Sequence, residues 1–493
     1  MADAQPAPLT CLVTGATGYV GGRLVPELLA AGHRVRVMSR SPERLRDHPW
    51  AGDVEIVQAD AGNADAVQRA CAGVDVVYYL IHALGSGSSF EETDRHTARV
   101  MAGAAREAGV GRLVYLGGLQ PEDEELSPHL RSRGEVAAIL LGSGVPTVVL
   151  RAAVILGSGS ASFEMLRYLT ERLPVMVTPR WVHSRIQPIA IRDVLRYLVG
   201  CADLPAEVHR CFDIGGPDVM NYAEMMQRYA VVARLPRRRI LPVPLFTPSL
   251  SSHWVGLITP VPAGIARPLV ESLRNTVVCA EHDIAGYVPD PPDGLIGFDD
   301  AVALALQRVR DSAVSSRWSS ASVPGAPSDP LPTDPDWAGG SLYVDDRVRH
   351  SSAPPDALWR VVEGIGGDRG WYSWALAWRV RGWLDRAVGG VGLRRGRRDP
   401  DRLYVGDALD FWRVEEREPD RLLRLRAEMR LPGLAWLEFH VEQAEAGGST
   451  LRQRATFAPR GLFGHAYWWA VAAFHGVVFG GMLRGIVAAA ERR

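Results

Sequence analysis

The stretch Leu12-Val-Thr-Gly-Ala-Thr-Gly-Tyr-Val-Gly-Gly22 decides how the first half of this chain folds. It begins inside an apolar run, Leu9 to Val13, that reads as a buried strand. It continues through Gly15, Gly18 and Gly21 at G-x-x-G-x-x-G spacing. It ends in a helical pattern, Tyr19 to Ala31, with Val20, Leu24, Leu28 and Leu29 on one face. Strand, glycine turn and helix N-terminus together make a pyrophosphate site. The first glycine permits the tight turn, the second lets the backbone approach the phosphates, and the third lets the helix pack closely on the strand. The free amides and the dipole of the helix face the anion. Thr17, Tyr19 and Val20 complete the loop. A dinucleotide is the expected ligand.

Working outward, apolar runs alternate with helical patterns for about 200 residues. Strands are expected at 33–38, 54–57, 74–81, 113–116 and 147–150, with a helix at 88–108. This order predicts a doubly wound parallel sheet, an α/β Rossmann architecture with its ligand crevice at the carboxyl ends of the strands. In that architecture an acidic residue closing the second strand binds the ribose 2′-hydroxyl of NAD. Here the strand closes Val37-Met-Ser-Arg-Ser41, without a carboxylate, and Arg40 is placed to pair with a 2′-phosphate. NADP(H) is therefore preferred, with NAD(H) as the alternative.

All 55 basic residues are arginine, because the 493 residues include no lysine. Schiff-base chemistry and lysine-assisted proton transfer are excluded. The net charge of −1 gives no field that favours nucleic acid, and the basic runs 237–239 and 394–398 read as solvated loops. Five cysteines, at 11, 71, 201, 211 and 279, lack metal-ligand spacing and read as reduced residues of a cytoplasmic protein. The N-terminal residues have neither a basic region nor an apolar core, so no secretory leader is expected.

From Asp311 to Gly340 Ser, Pro, Asp and Gly dominate, as in an extended linker. The expected division is 1–310, a linker at 311–340, and 341–493. Beyond the linker the pattern reads as a strand at 341–348 and a short helix at 354–363. Tryptophans follow at 371, 374, 378 and 383. Strands are expected at 402–405, 409–415, 422–429, 435–442 and 450–457, then a long helix. An α+β domain is expected, with an antiparallel sheet gripping that helix. Residues 466–483 contain no Asp, Glu or Arg, which reaches the lower limit of a membrane span. His475 in its middle favours a packed helix over membrane association. Tyr467, Trp468, Phe474 and Phe479 are expected to supply its contacts.

The first 310 residues resemble the extended and atypical short-chain dehydrogenase/reductases, near the NmrA-like group. The motifs that carry the resemblance are Thr14-Gly-Ala-Thr-Gly-Tyr-Val-Gly21, Asp60, Gln187-Pro-Ile-Ala-Ile-Arg-Asp-Val194, and Asp213-Ile-Gly-Gly-Pro217 followed by Tyr222-Ala-Glu224. The C-terminal part resembles the helix-grip fold, opening with Pro354-Pro-Asp-Ala-Leu-Trp359. The first resemblance implies that Asp60 and Ala61 meet the adenine and that Leu80, Ile81 and His82 line the cofactor. It also implies a Ser or Thr, a Tyr and a Lys as the reductase site, and this chain departs at all three. Tyr115-Leu-Gly-Gly118 puts glycines in the Ser/Thr place. In His129-Leu-Arg-Ser-Arg133, His129 stands for the Tyr and Arg133 for the Lys. His129, Arg133 and Tyr115 are the candidate catalytic residues, acting on a small apolar, carbonyl- or quinone-like ligand. The alternative is a non-catalytic NADP(H)-sensing protein.

Overall fold

The computed structural model describes residues 8–46, 48–82, 90–121, 125–178, 180–242, 259, 261–273, 275–312, 342–372, 402–429, 431–444 and 447–492. The chain divides into two compact units, Met1–Gly340 and Ser341–Arg493. Most of the proposed linker, and Trp374, Trp378, Trp383 and the basic run 394–398, lie outside the described residues.

The first unit is built on seven parallel strands: β1 (Thr10–Thr14), β2 (Arg34–Ser39), β3 (Glu55–Gln58), β4 (Val76–Tyr79), β5 (Arg112–Gly118), β6 (Thr147–Ala152) and β7 (Arg210–Ile214). Their order is β7-β6-β5-β4-β1-β2-β3, so the chain reverses direction across the sheet on either side of β1. Successive side chains of β1 enter opposite cores, which is why its sequence is apolar without alternation. Cys11 and Val13 pack with α1 (Tyr19–Ala30) and α6 (Ile191–Gly200) through Leu24, Leu28, Val194 and Leu198. Leu12 packs on the other face with α2 (Ala64–Cys71), α3 (Phe90–Glu107) and α4 (Pro128–Leu141) through Val67, Met101 and Val136. A third core joins α5 (Ala161–Arg172), α7 (Tyr222–Val232), α8 (Ala263–Ser272) and α9 (Phe298–Ser312) beside this sheet.

The second unit has a six-stranded antiparallel sheet: β8 (Tyr343–Ser351), β9 (Ala408–Leu409), β10 (Trp412–Glu418), β11 (Leu422–Ala427), β12 (Gly433–Gln443) and β13 (Ser449–Pro459). Its order is β8-β13-β12-β11-β10-β9. The helices α10 (Pro355–Glu363) and α11 (Gly461–Glu491) share one core with it, through Leu358, Val362, Leu425, Phe439, Met482 and Ile486. β8 presents Asp346, Arg347 and Arg349 along an outer edge, and such charges discourage edge-to-edge pairing.

Several expectations need correction. Residues 402–405 form no strand. The strand expected at 409–415 is two strands joined by a turn, where Asp410 takes a positive φ of 55°. Arg424 lies on β11, where charged and apolar residues alternate. It is 1 % exposed and paired with Glu438 and Glu416, so charge pairing replaces hydration there. Arg238, in the run expected to be solvated, is also buried. α11 is longer than the 18 residues expected, and its two arms, Gly461–Ala472 and Phe474–Glu491, meet at 62°. Only the second arm is deeply packed, through Met482, Leu483, Ile486, Val487 and Ala490. Phe474, expected to contact the sheet, is 60 % exposed. Trp468 does pack, stacked on Tyr343 at 5.0 Å, and Tyr467 lies 5.6 Å from Phe457. Among the described residues no single helix is long and apolar enough to cross a membrane, though the two arms of α11 together pass by length and composition.

Candidate functional site

The turn after β1 is held by two close approaches. Gly15 has φ +72°, and a Cβ there would lie 2.6 Å from the Leu80 carbonyl oxygen. A Cβ on Gly21 would lie 2.4 Å from the Gly15 oxygen. Both positions are closed to any side chain, so the turn, the end of β4 and the first turn of α1 sit against one another. Thr14 secures the same junction: its hydroxyl donates to the Tyr78 carbonyl at 3.0 Å and receives the Leu80 amide at 3.1 Å. Gly18 differs. It is exposed, its amide donates to the Gly15 oxygen at 2.9 Å, and a Cβ would approach only that oxygen, at 3.1 Å. Its openness leaves room for a pyrophosphate rather than for packing. α1 has no acidic residue in its first turn and no side-chain cap, so its leading amides and the positive end of its dipole remain for an anion. Thr17 and Val20 are half-buried beside it. Tyr19 turns its ring under the Arg23 guanidinium, 4.2 Å away.

At the carboxyl end of β2, Arg40 is exposed. Its guanidinium makes no ion pair among the described residues. Asp60 follows β3, accepting the Gly62 amide at 2.8 Å in a tight turn, and Ala61 is buried beside it. These residues, with the Gly15–Gly21 loop, fit an NAD(P)H dinucleotide along the strand ends: a phosphate-sized gap over glycine, free amides, and a free cation near the second strand.

The other side of the crevice holds His82, His129, Arg133 and Tyr115. His82 follows β4. Its Nδ1 lies 2.8 Å from Asp94 Oδ2 on α3, and its Nε2 lies 3.2 Å from His129 Nδ1 on α4. The Ser132 hydroxyl donates to the same Asp94 oxygen at 3.0 Å. α4 is started by Ser127, which accepts the Leu130 amide, and by Pro128 in the first turn, so His129, Ser132 and Arg133 fall in its opening turns. Arg133 donates through Nη1 to the Tyr115 hydroxyl at 3.3 Å and to the Leu116 carbonyl at 3.2 Å. Tyr115 is 1 % exposed, in the core beneath Arg133, where it positions the guanidinium. Burial pushes its hydroxyl pKa up, against the pull of Arg133.

Burial, helped by Arg133, pulls His82 down to about 4 despite the opposing carboxylate of Asp94. Burial, Arg133 and His82 hold His129 well below its ordinary value. Both rings are therefore neutral at pH 7. Glycine at 117 and 118 has a packing reason. A Cβ at 117 would lie 3.1 Å from the Tyr115 ring, and one at 118 would lie 3.1 Å from Leu130.

Asp94 and Ser132 were not among the expected site residues. Asp94 carried one legible signal: it lies three positions before Thr97 and four before Ala98 on the buried face of α3, where an acid needs a partner. Elsewhere, the Ser160 hydroxyl donates to the Ile155 carbonyl at 2.8 Å and so holds the turn that enters α5. Among the described residues no group of three His, Cys, Asp or Glu side chains is arranged to hold a metal.

Residues 15–155 match a family model described as NAD(P)H-binding, and residues 337–482 match one described as "Protein of unknown function (DUF2867)". A (4-alkanoyl-5-oxo-2,5-dihydrofuran-3-yl)methyl phosphate reductase of Streptomyces griseus subsp. griseus is 30% identical over 234 residues, 46% of this chain and 75% of that protein. A ceramide reductase of Caulobacter vibrioides is 28% identical over 305 residues, 59% of this chain and 92% of that protein. Among solved structures, the Citrobacter sp. triphenylmethane reductase complexed with NADP(H) is similar with a TM-score of 0.48 at 18% identity, over 60% of this chain and 99% of that one.

Proposed function

The chain belongs to the NAD(P)H-binding, atypical short-chain dehydrogenase/reductase family, and from that premise we propose that it is an oxidoreductase that prefers NADP(H). The observation that carries the preference is the unpartnered Arg40 guanidinium at the end of a β2 that has no acid to hold a ribose 2′-hydroxyl. Gly15, Gly18 and Gly21 hold the pyrophosphate, and Arg133, through the nitrogens that Tyr115 and Leu116 leave open, holds a ribose hydroxyl. The cofactor supplies or accepts a hydride. The protein supplies the surrounding proton transfer, with His129 in the role that a tyrosine has elsewhere in the family. The relatives named above are reductases of phosphorylated furan and ceramide substrates. Here the ligand class is a small apolar, carbonyl- or quinone-like molecule in the cytoplasm, with no nucleic acid involved.

The second unit is read as a helix-grip-like domain that holds an apolar ligand. Support comes from a six-stranded antiparallel sheet that shares one core with α10 and the packed arm of α11. Peripheral membrane contact through 466–483 is the less favoured alternative. One observation favours a second reading, a sensor that binds NADP(H) without turnover: the glycines at 117 and 118 leave no Ser or Thr hydroxyl over the crevice. The deciding experiment titrates the full chain with NADPH and NADH by fluorescence, then follows NADPH oxidation against a panel of carbonyl and quinone compounds. Tight NADPH binding with turnover supports the oxidoreductase. Binding with no turnover on any compound, and none with NADP+ on the corresponding alcohols, supports the sensor. Absence of binding to either cofactor rejects both.

A further inference from the structure

Asp94, His82 and His129 form a hydrogen-bonded string whose proton positions can be worked out from its fixed end. Asp94 Oδ2 receives the Ser132 hydroxyl and faces His82 Nδ1 at 2.8 Å. Asp94 acts on His82 as an anion, and an ionised carboxylate only accepts, so the shared proton belongs to His82 Nδ1. A neutral imidazole carries one proton, which leaves His82 Nε2 as an acceptor. It accepts from His129 Nδ1 at 3.2 Å. The only proton of a neutral His129 is then on Nδ1, and its Nε2 carries a lone pair. That Nε2 has no partner among the described residues.

We propose that this string ends in a general base, His129 Nε2, which takes the hydroxyl proton of an alcohol substrate, so that the site is set for dehydrogenation rather than for carbonyl reduction. The proposal rests on the nucleotide-binding reading above. In the step, the substrate O–H proton passes to His129 Nε2. The carbinol C–H bond breaks and its electron pair leaves as hydride to an oxidised nicotinamide dinucleotide, and the carbonyl double bond forms. The His129 Nδ1 proton can then move to His82 Nε2, which transfers the positive charge to the ring that touches Asp94. His129 is the catalytic residue. His82, Asp94 and Ser132 act through it as positioning residues.

The charged and titratable groups facing the string come from each element around it: Asp94 from α3, Arg133 from α4, Tyr115 from β5 and Tyr79 from β4. Arg133 opposes a resting imidazolium, and burial does the same. The base is therefore free across neutral pH, while reduction needs one more proton on the string and weakens as pH rises.

The test reads the string directly by imidazole NMR on full-length protein labelled with nitrogen-15 histidine. Single His82→Gln and His129→Gln variants assign the two rings. At pH 7 both rings should carry Nδ1 protons and bare Nε2 atoms. Asp94→Asn offers an amide donor in place of the carboxylate, and it should move the proton to Nε2 in both rings, a reversal that a packing role alone does not produce. Ser132→Ala should keep both tautomers. An Nε2 proton or an imidazolium at either ring of the unmodified protein at pH 7 overturns the proposal, and that spectrum needs no variant beyond the assignment. NADP+ is then added, with binding followed by quenching of tryptophan fluorescence. Binding that shifts the His129 Nε2 signal supports the proposal, and binding that leaves it unmoved overturns it. Failure to bind NADP+ rejects the nucleotide reading instead, whatever the tautomers are.

Discussion

Gly15 and Gly18 serve the same loop for different reasons, and substitution separates them. Gly15→Ala forces a Cβ against the Leu80 carbonyl at a positive φ, and a cost of about 1–3 kcal/mol should appear as a lowered melting temperature. Gly18→Val meets little protein, so the fold should persist while NADPH affinity, measured by calorimetry, falls at least tenfold. At the other end of the nucleotide, Arg40→Ala should cost about 1.5–3 kcal/mol of NADPH binding, a charged hydrogen bond's worth, and leave NADH binding unchanged. Equal losses for the two cofactors would place the 2′-phosphate elsewhere. Acid acts on the two histidines. Both are held below their ordinary value in the fold, His82 from 6.5 to about 4, so the unfolded chain binds protons more readily. The stability they contribute is complete above about pH 6.5 and is lost as pH falls toward 4. Thermal melts between pH 7 and pH 4.5 check this, and His82→Gln should flatten the slope. Gly15, Arg40 and His129 were legible because each belongs to a local pattern. Ser132 was not, and Asp94 showed only as an acid on a buried helix face, because Asp94 meets His82 and Ser132 across α3, α4 and the end of β4, distances that no spacing in the sequence encodes.

Among the elements, α11 shows where reading by composition stops. Its apolar run was plain, and the packed helix was the preferred reading. The run does not reveal that the helix turns through 62° and commits its arms to different surroundings. In the second arm Met482, Leu483, Ile486 and Val487 are buried in the core, whereas Phe463 and Trp469 of the first are 81 % and 68 % exposed. Both arms are rich in apolar residues. Only the sheet decides which side chains it covers. Ile486→Ala should therefore cost about 2–4 kcal/mol in the unfolding of the second unit. Trp469→Ala should change it by less than about 0.5 kcal/mol. A chain ending at Gly461 should lose that unit's cooperative transition while still binding NADPH. A preserved transition would show that the sheet does not need the helix. Six of the seven parallel strands were legible to within a few residues because they are mainly apolar, whereas β7, which opens with Arg210 at the sheet edge, was not expected as a strand. The break at Asp410 was not, because one left-handed residue is enough to turn a strand and many residue types tolerate it.

For the whole molecule, the cores of the first unit share no members with the core of the second, which predicts two separable melting events. If NADPH binds the first unit as proposed, a hundredfold excess over its dissociation constant should add about 2.7 kcal/mol to that transition and leave the other in place. Calorimetric scans with and without NADPH check this, and a shift of both events together would show that the units melt as one. The division into two units was visible in the change of pattern after the Pro-rich stretch, because βαβ units and consecutive antiparallel strands differ in period and spacing. The placement of β1 at the middle of the first sheet also has a consequence for biosynthesis. Cys11, Leu12 and Val13 leave the ribosome early and find β2 soon afterwards, but their other neighbours, Val76, Val77 and Tyr78, are made more than sixty residues later. For that interval the nascent chain carries an apolar strand with one edge open, the kind of edge that recruits chaperones or the wrong partner. Slowing translation over residues 40–80 therefore lengthens the time that the open edge of β1 is exposed.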